Sequence, residues 1–151
     1  KASANYLNSR LASIQAKESG YEGAILLTSN GKVSEGPGGC IFLIREGVMI
    51  TPSVSSGILE SITRDSVLKI AKEKNLIVES RNVDRTELYI ADEIFYCGTG
   101  QEIMPILSVD KILAGEGKVG DITALFQKEY TQIVRGENQA FNFWITPIYC
   151  K

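Results

Sequence analysis

The chain contains no histidine. This absence excludes Ser-His-Asp and Cys-His nucleophilic catalysis, and it excludes histidine-ligated metal centres. If the protein is an enzyme, its proton carrier must be a lysine, tyrosine, aspartate, glutamate or cysteine side chain. The range of catalytic groups is therefore narrow before any motif is considered.

Cysteine is also scarce. The three cysteines, Cys40, Cys97 and Cys150, are odd in number and widely spaced. Such a set predicts neither a disulfide framework nor a zinc site. We expect reduced, partly buried thiols, and we predict no metal site.

Neither sign of charge is in large excess, and no apolar run is long. The 16 basic and 18 acidic side chains give a net charge of -2, so no nucleic-acid-binding surface is expected. No run of about 18 apolar residues occurs, so no transmembrane helix is expected. The opening string KASANYLNSR lacks the apolar core of a signal peptide. These features predict a cytoplasmic protein without membrane partners.

The chain has 151 residues, which is enough for one domain with its own core, and its apolar pattern predicts both helices and strands. Apolar spacing predicts helices over 5–18, from about 62 to 74, and over 121–134, with a shorter one at 86–91. Strands are predicted at 23–28, 32–35, 41–45, 48–51, 77–81, 94–97 and 103–109. Hairpins mixed with separated helices favour an α+β domain with a mixed, largely antiparallel sheet.

Three glycine-containing loops stand beside predicted elements, at 36–39, 57–63 and 98–100. The second loop opens a helix, and the free N–H groups of a helix start bind phosphate. Neither a Walker pattern nor a GxGxxG pattern is present. Glycine turns that only reverse the chain are the commoner case, so the spacing alone leaves both interpretations open.

Several strings, in order along nearly the whole chain, resemble one family. They are KASANYLNS, VSEGPGG with CIFLIREGVMITP, ILESITRDSVLKIAKE, LYIADEIFYCGTGQEIMPI and VGDITALFQKEYTQIVRGE. They are similar to segments of fold-type IV pyridoxal-phosphate aminotransferases of the branched-chain amino acid type. The resemblance implies pyridoxal 5'-phosphate as cofactor. It also implies the large domain of the D-amino acid aminotransferase-like fold, whose sheets form a pseudo-barrel with flanking helices.

The resemblance also assigns roles to three residues near the start of the chain. Lys1 matches the family's catalytic lysine, which binds the cofactor as a Schiff base and then moves the substrate Cα proton. Tyr6 matches a tyrosine that bonds the phenolic oxygen of the cofactor. Glu35 matches the glutamate that pairs with the pyridine nitrogen and keeps the ring protonated.

The phosphate and substrate groups are assigned in the same way. Ile62 and Thr63 match the backbone N–H donors of the family's phosphate site, and Thr99 matches its hydroxyl donor. Thr99 and Gly100 belong to the turn that, in the family, faces the substrate carboxylate, where glycine permits a close backbone approach. Arg64 follows in the same motif and is interpreted as structural or as a general electrostatic aid.

The sequence departs from the family pattern at three places. Cys40 stands where the family usually has asparagine, and Ser61 stands where it usually has glycine. The turn reads GTGQE where GTAAE or GTGAE is common, so Gln101 is the third departure. These changes bear on the substrate more than on the cofactor.

The implied activity is transamination of branched-chain L-amino acids with 2-oxoglutarate. A D-amino acid aminotransferase, an aminodeoxychorismate lyase and an inactive or excised domain remain as alternatives. We expect a homodimer. We interpret residues 1–151 as the C-terminal large cofactor-binding domain, with the N-terminal small domain absent from this chain, and we expect little activity from such a piece alone.

Overall fold

The computed structural model describes residues 2–146 and residue 148. Its helices are α1 (Asn5–Glu18), α2 (Ile62–Glu73) and α3 (Asp121–Val134), with 3₁₀ turns at Val54–Ser56, Arg85–Tyr89 and Gln139–Trp144. Its strands are β1 (Cys40–Arg45), β2 (Val48–Pro52), β3 (Val78–Arg81), β4 (Glu93–Gly98), β5 (Glu102–Pro105), β6 (Ser108–Val109) and β7 (Ile112–Leu113).

Five strands form one mixed sheet in the order β3-β2-β1-β4-β5. Every pairing in it is antiparallel except that of β2 with β3, which is parallel. A separate two-stranded ribbon is made by β6 and β7. The predicted α+β class, with a mixed and largely antiparallel sheet flanked by helices, is confirmed.

Both faces of the sheet are covered, so its central strands are apolar throughout. Phe42 of β1 and Phe95 of β4 stack on each other and pack with Phe126 of α3 and Val67 of α2 on one face. The alternate residues of the same strands, among them Leu43, form the second core. Because successive strand residues point to opposite faces, one continuous apolar run supplies two cores.

The segment that covers the second face was predicted as a buried hairpin of two strands, and the chain reversal is confirmed although neither arm is a regular strand. Backbone hydrogen bonds of Leu26 with Ser34 and Glu35, and of Thr28 with Lys32, join the two arms around a bridge between Leu27 and Val33. Val33 is buried in the second core, whereas Leu27 is 41% exposed. Tyr96 of β4 anchors the segment by donating a 2.7 Å hydrogen bond to the Ala24 carbonyl.

The prediction of one strand over 103–109 is wrong, because the strand ends at Pro105. Beyond this residue the chain leaves the sheet and forms β6, which turns back through Asp110 and Lys111. Both turn residues have positive φ, 51° and 67°, as a tight two-residue hairpin requires. Proline has no N–H to donate, which favours the end of a strand at this point.

The helices agree with their predicted spans, but α1 is less buried than its pattern suggests. Its apolar stripe, Leu7, Leu11 and Ile14, is exposed, and Ala16 is its buried residue. The start of α3 is fixed by Glu93 of β4, whose carboxylate accepts hydrogen bonds from the Ile122 and Thr123 N–H groups at 3.0 and 2.7 Å. An acidic group at a helix N-terminus is favourable, so this contact ties α3 to the sheet.

We predict that Gly120→Ala lowers the free energy of unfolding by about 1–3 kcal/mol, because the added methyl group would overlap the Glu93 carboxylate. Urea denaturation of the purified protein measures this change. Gly23→Ala is the matched control, since a Cβ at Gly23 meets nothing within 4 Å. Equal stability of the two variants would contradict the capping role of Glu93.

Candidate cofactor site

One cavity gathers segments that are distant in the sequence. It has a volume of about 420 Å³ and lies between the start of α1, the loop before β1, the segment before α2 and the β4–β5 turn. Its lining consists of Asn5, Tyr6, Ser9, Glu35, Pro37, Gly38, Gly39, Cys40, Gly57, Ile58, Leu59, Ser61, Ile62, Gly98 and Thr99. A concave site of this size, in which polar side chains are mixed with apolar ones, is typical of small-molecule binding.

Glu35 is the acidic residue of this lining. Its Oε2 accepts a 3.1 Å hydrogen bond from the Leu59 N–H, which joins the loop before β1 to the segment before α2. Partial burial raises the pKa of the Glu35 carboxyl above its ordinary value, and the Leu59 hydrogen bond acts in the opposite direction. A positively charged partner in the cavity would therefore stabilise its ionised form.

The loop before β1 passes close to β4 and the following turn, which is why it needs glycine. A Cβ at Gly36 would lie 2.6 Å from the ring of Tyr96, and one at Gly39 would lie 2.8 Å from the Cys97 carbonyl. Side chains there would push the loop away from the sheet. The glycine string thus brings the backbone of residues 36–39 against the cavity.

The start of α2 offers unpaired backbone donors to the cavity. Ser61, the N-cap residue, has φ of 53°, and its hydroxyl accepts a 3.3 Å hydrogen bond from the Arg64 N–H. The N–H groups of Ile62 and Thr63 have no partner in the part of the chain that the structure describes. Free N–H groups and the positive end of the helix dipole make this end a suitable anion site.

The β4–β5 turn closes another side of the cavity. Thr99 lies in its lining, whereas Gly100 is exposed and lies outside it. The Oε1 atom of Gln101 is buried near Gly39 without a hydrogen-bond partner among residues 2–146 and 148. The turn therefore presents one hydroxyl directly to the cavity.

Two buried thiols flank the glycine loop. Cys40 of β1 lies directly opposite Cys97 of β4, and both are free. The Cys40 thiol donates to the Leu59 carbonyl at 3.3 Å, and its pKa is lowered mainly by hydrogen bonding with Cys97. Contact with Cys40, together with burial, raises the pKa of Cys97. The prediction of partly buried thiols agrees with the burial of these two, and Cys150 lies outside the described residues.

The structure brings together four of the residues named from the sequence, namely Tyr6, Glu35, Ile62 and Thr99. The Thr63 side chain is only 3% exposed and does not line the cavity, so its predicted contribution is limited to its backbone N–H. Lys1 lies outside the described residues. The roles assigned to all these residues stay predictions.

Sequence reasoning missed much of the lining. Asn5, Ser9 and the residues 57–59 lie within the loop and the strings noted in the sequence, but none of them was given a role, and the fold brings them to the cavity. Cys40 and Ser61 were noted only as departures from the family pattern. The positive φ of Ser61 gives the physical reason why glycine suits that position.

Across the described residues, no helix is long and apolar enough to span a membrane. The same part of the chain holds no cluster of three or more acidic or cysteine side chains arranged to bind a metal ion.

Comparison with known proteins agrees with this geometry. The profile of the amino-transferase class IV family matches residues 2–109. Over the whole chain, the sequence is 45% identical to a probable branched-chain-amino-acid aminotransferase of Aquifex aeolicus, of which it covers 49%. It is 40% identical to the branched-chain-amino-acid aminotransferase of Escherichia coli K12, with 98% of this chain and 48% of that protein covered.

A solved structure gives the same result. The branched-chain amino acid aminotransferase of Thermobaculum terrenum in its PLP form superposes with a TM-score of 0.97 at 49% identity, covering 99% of this chain and 49% of that one. The chain belongs to the class IV aminotransferase family. It spans about half the length of the relatives it matches.

We predict that Ser61→Ala lowers the free energy of unfolding by about 1 kcal/mol, because the cap hydrogen bond to the Arg64 N–H is lost while the strained φ remains. Ser61→Gly loses the same bond but relieves the strain, so it should be as stable as the parent protein or more so. Thermal unfolding of the three proteins checks this order. An alanine variant as stable as the glycine variant would contradict the strain at this position.

We predict that Glu35→Gln changes the pH dependence of stability in a defined direction. The raised pKa of Glu35 means that its stabilising effect is complete below the ordinary value of 4.5 and is lost as the pH rises through the folded-state pKa. The cofactor-free glutamine variant should therefore gain stability relative to the parent as the pH rises from below 4.5 to neutral. Chemical denaturation at several pH values measures this difference, and a gain in the opposite direction would contradict it.

Proposed function

We propose that the protein carrying this chain is a pyridoxal-phosphate-dependent enzyme that transaminates branched-chain L-amino acids with 2-oxoglutarate. The observation that carries the proposal is the cavity, which unites Tyr6, Glu35, Ile62 and Thr99 from four separate segments. These four had been assigned to one cofactor by resemblance. The named relatives support the same reaction.

The residues of the cavity fit the cofactor. A volume of about 420 Å³ accommodates an aromatic ring with a phosphate group. The free N–H groups of Ile62 and Thr63 and the hydroxyl of Thr99 would hold the phosphate. The carboxylate of Glu35 would face the ring nitrogen, and Tyr6 would donate to the phenolic oxygen. When bound, pyridoxal phosphate supplies an electron sink for the charge left at the substrate Cα.

Glu35 is built to hold a proton at the ring nitrogen. Its carboxylate is half-buried, so a positive partner in the cavity would be attracted more strongly than in water. The Leu59 N–H fixes Oε2, which leaves Oε1 available to the ring. The side chain would therefore orient the cofactor and keep its nitrogen protonated.

The proton at the substrate Cα needs a separate carrier. In a chain without histidine, the amine of Lys1 is the group assigned to this task by resemblance. The amides of the turn at Thr99 and Gly100 would hold the substrate carboxylate and so orient its Cα. The apolar side chain of the substrate would then be selected by size, a weak form of discrimination.

The proposal has three further parts. The chain would be the large cofactor-binding domain of its protein, which agrees with its spanning about half of each relative. The protein would be a homodimer, on the strength of the family resemblance. It would be cytoplasmic, as we expected from the sequence.

We predict that the intact protein, loaded with pyridoxal phosphate, changes its absorption spectrum from the aldehyde-derived to the amine form on addition of L-leucine, L-isoleucine or L-valine. Borohydride should trap the cofactor on the wild-type protein but not on Lys1→Ala, because the variant lacks the reactive amine. Absorption spectroscopy and intact mass measure the two results. The mass also reports whether the protein exceeds the 16.5 kDa of this chain.

Other results of these experiments would indicate one of the alternative functions. A shift with D-alanine but not with L-leucine would indicate a D-amino acid aminotransferase, and pyruvate release from aminodeoxychorismate would indicate the lyase. No trapped adduct in the wild-type protein would indicate an inactive domain.

A further inference from the structure

Arg64, the third residue of α2, is buried, with only 6% of its surface exposed. Its guanidinium group points back to the ends of β2 and β3. There Nε donates to the Thr51 hydroxyl at 3.4 Å, and one terminal nitrogen donates to the Pro52 carbonyl at 3.1 Å and to the Ser80 hydroxyl at 3.2 Å. All three acceptors are electrically neutral.

No carboxylate among the described residues lies within salt-bridge distance of Arg64. Asp65, its neighbour on α2, pairs instead with Lys69 at 2.7 Å and is exposed. An arginine does not lose its proton in a protein, so the charge of Arg64 persists. A buried charge without a counter-ion is costly, and neutral hydrogen-bond acceptors offset only part of that cost.

The cavity lies next to this charge. Arg64 sits in the same first helical turn whose Ile62 N–H group, at the cavity wall, has no partner in the described part of the chain. Cys40 also lines the cavity, and several groups act on the pKa of its thiol: hydrogen bonding with Cys97 lowers it most, burial and the Glu35 carboxylate raise it, and the charge of Arg64 has a smaller lowering effect. Arg64 thus belongs to the helical turn that forms one wall of the cavity.

We propose that Arg64 is a positioning residue for the phosphate group of the cofactor. Its guanidinium group lies behind the start of α2 without a counter-ion among the described residues, and it would act on the phosphate by its charge without touching it. The inference rests on the proposed function. A phosphate dianion at the helix N-terminus would be the counter-ion that Arg64 lacks, and the charge would add to the helix dipole there. In low-dielectric surroundings such an interaction stays strong across several ångströms.

A purely structural role for Arg64 makes a different prediction. Its hydrogen bonds hold β2, β3 and α2 together, so their loss would weaken ligand binding whether or not a positive charge is retained, and Ser80→Ala would weaken it too. A charge effect concerns only the phosphate. The ratio of the dissociation constants of pyridoxamine and pyridoxamine 5'-phosphate separates the two roles, because these ligands differ in the phosphate alone and neither forms a bond with a lysine.

We predict that Arg64→Gln lowers this ratio by about tenfold or more in the intact protein, because the neutral side chain removes the potential at the phosphate. Arg64→Lys keeps the charge and should retain most of the ratio. Ser80→Ala, the matched control, removes one hydrogen bond of Arg64 but no charge, and it should leave the ratio unchanged. Equilibrium fluorescence titration gives all the constants.

An unchanged ratio in Arg64→Gln, or an equal loss in Arg64→Lys, would overturn the inference. If the wild-type protein itself shows no preference for the phosphorylated ligand, the proposed function fails instead. One measurement needs no variant: inorganic phosphate should raise the melting temperature of the cofactor-free protein above that in chloride of equal ionic strength. The absence of such a rise would also overturn the inference.

Discussion

β1 and β4 pair antiparallel from Cys40 opposite Cys97 to Ile44 opposite Glu93, and the cavity is built at one end of this pairing. Because the register is fixed, the glycine loop before β1 and the turn after β4 leave the sheet side by side. The same two strands supply Phe42 and Phe95 to one core and Leu43 to the other. A shift of one residue would exchange the two faces and separate the loops.

The cavity combines groups of opposite electrical character. Glu35 contributes a carboxylate that burial makes harder to ionise, whereas α2 contributes free N–H groups and the charge of Arg64. Each is unfavourable alone, because a buried charge without a partner costs free energy. A ligand with a cationic ring nitrogen and an anionic phosphate would satisfy both. Without a ligand, the protein is therefore less stable than it would be with neutral side chains at these positions. Such a loss of stability is common at sites that are prepared for binding.

The structure shows what the three residues that depart from the family pattern contact. Ser61 keeps the left-handed backbone that glycine adopts easily and adds a hydroxyl that caps α2. Cys40 donates a hydrogen bond from its thiol to the Leu59 carbonyl. Gln101 fills the space beside Gly39 with a buried amide oxygen. All three lie at the cavity or against its glycine loop.

The sequence by itself determined the three helices, the β1–β2 hairpin at Glu46-Gly47 and the class of the fold, because periodic apolar spacing and turn residues act locally. It also determined which residue types could carry the chemistry, since histidine is absent. The tertiary structure alone decided that the two arms of residues 23–35 pair without forming regular strands and that the strand at 103–109 ends at Pro105. It alone decided that Asn5, Ser9 and Leu59 line the cavity and that Arg64 is buried without a carboxylate among the described residues. These outcomes depend on contacts between residues far apart in the chain, which no local pattern records.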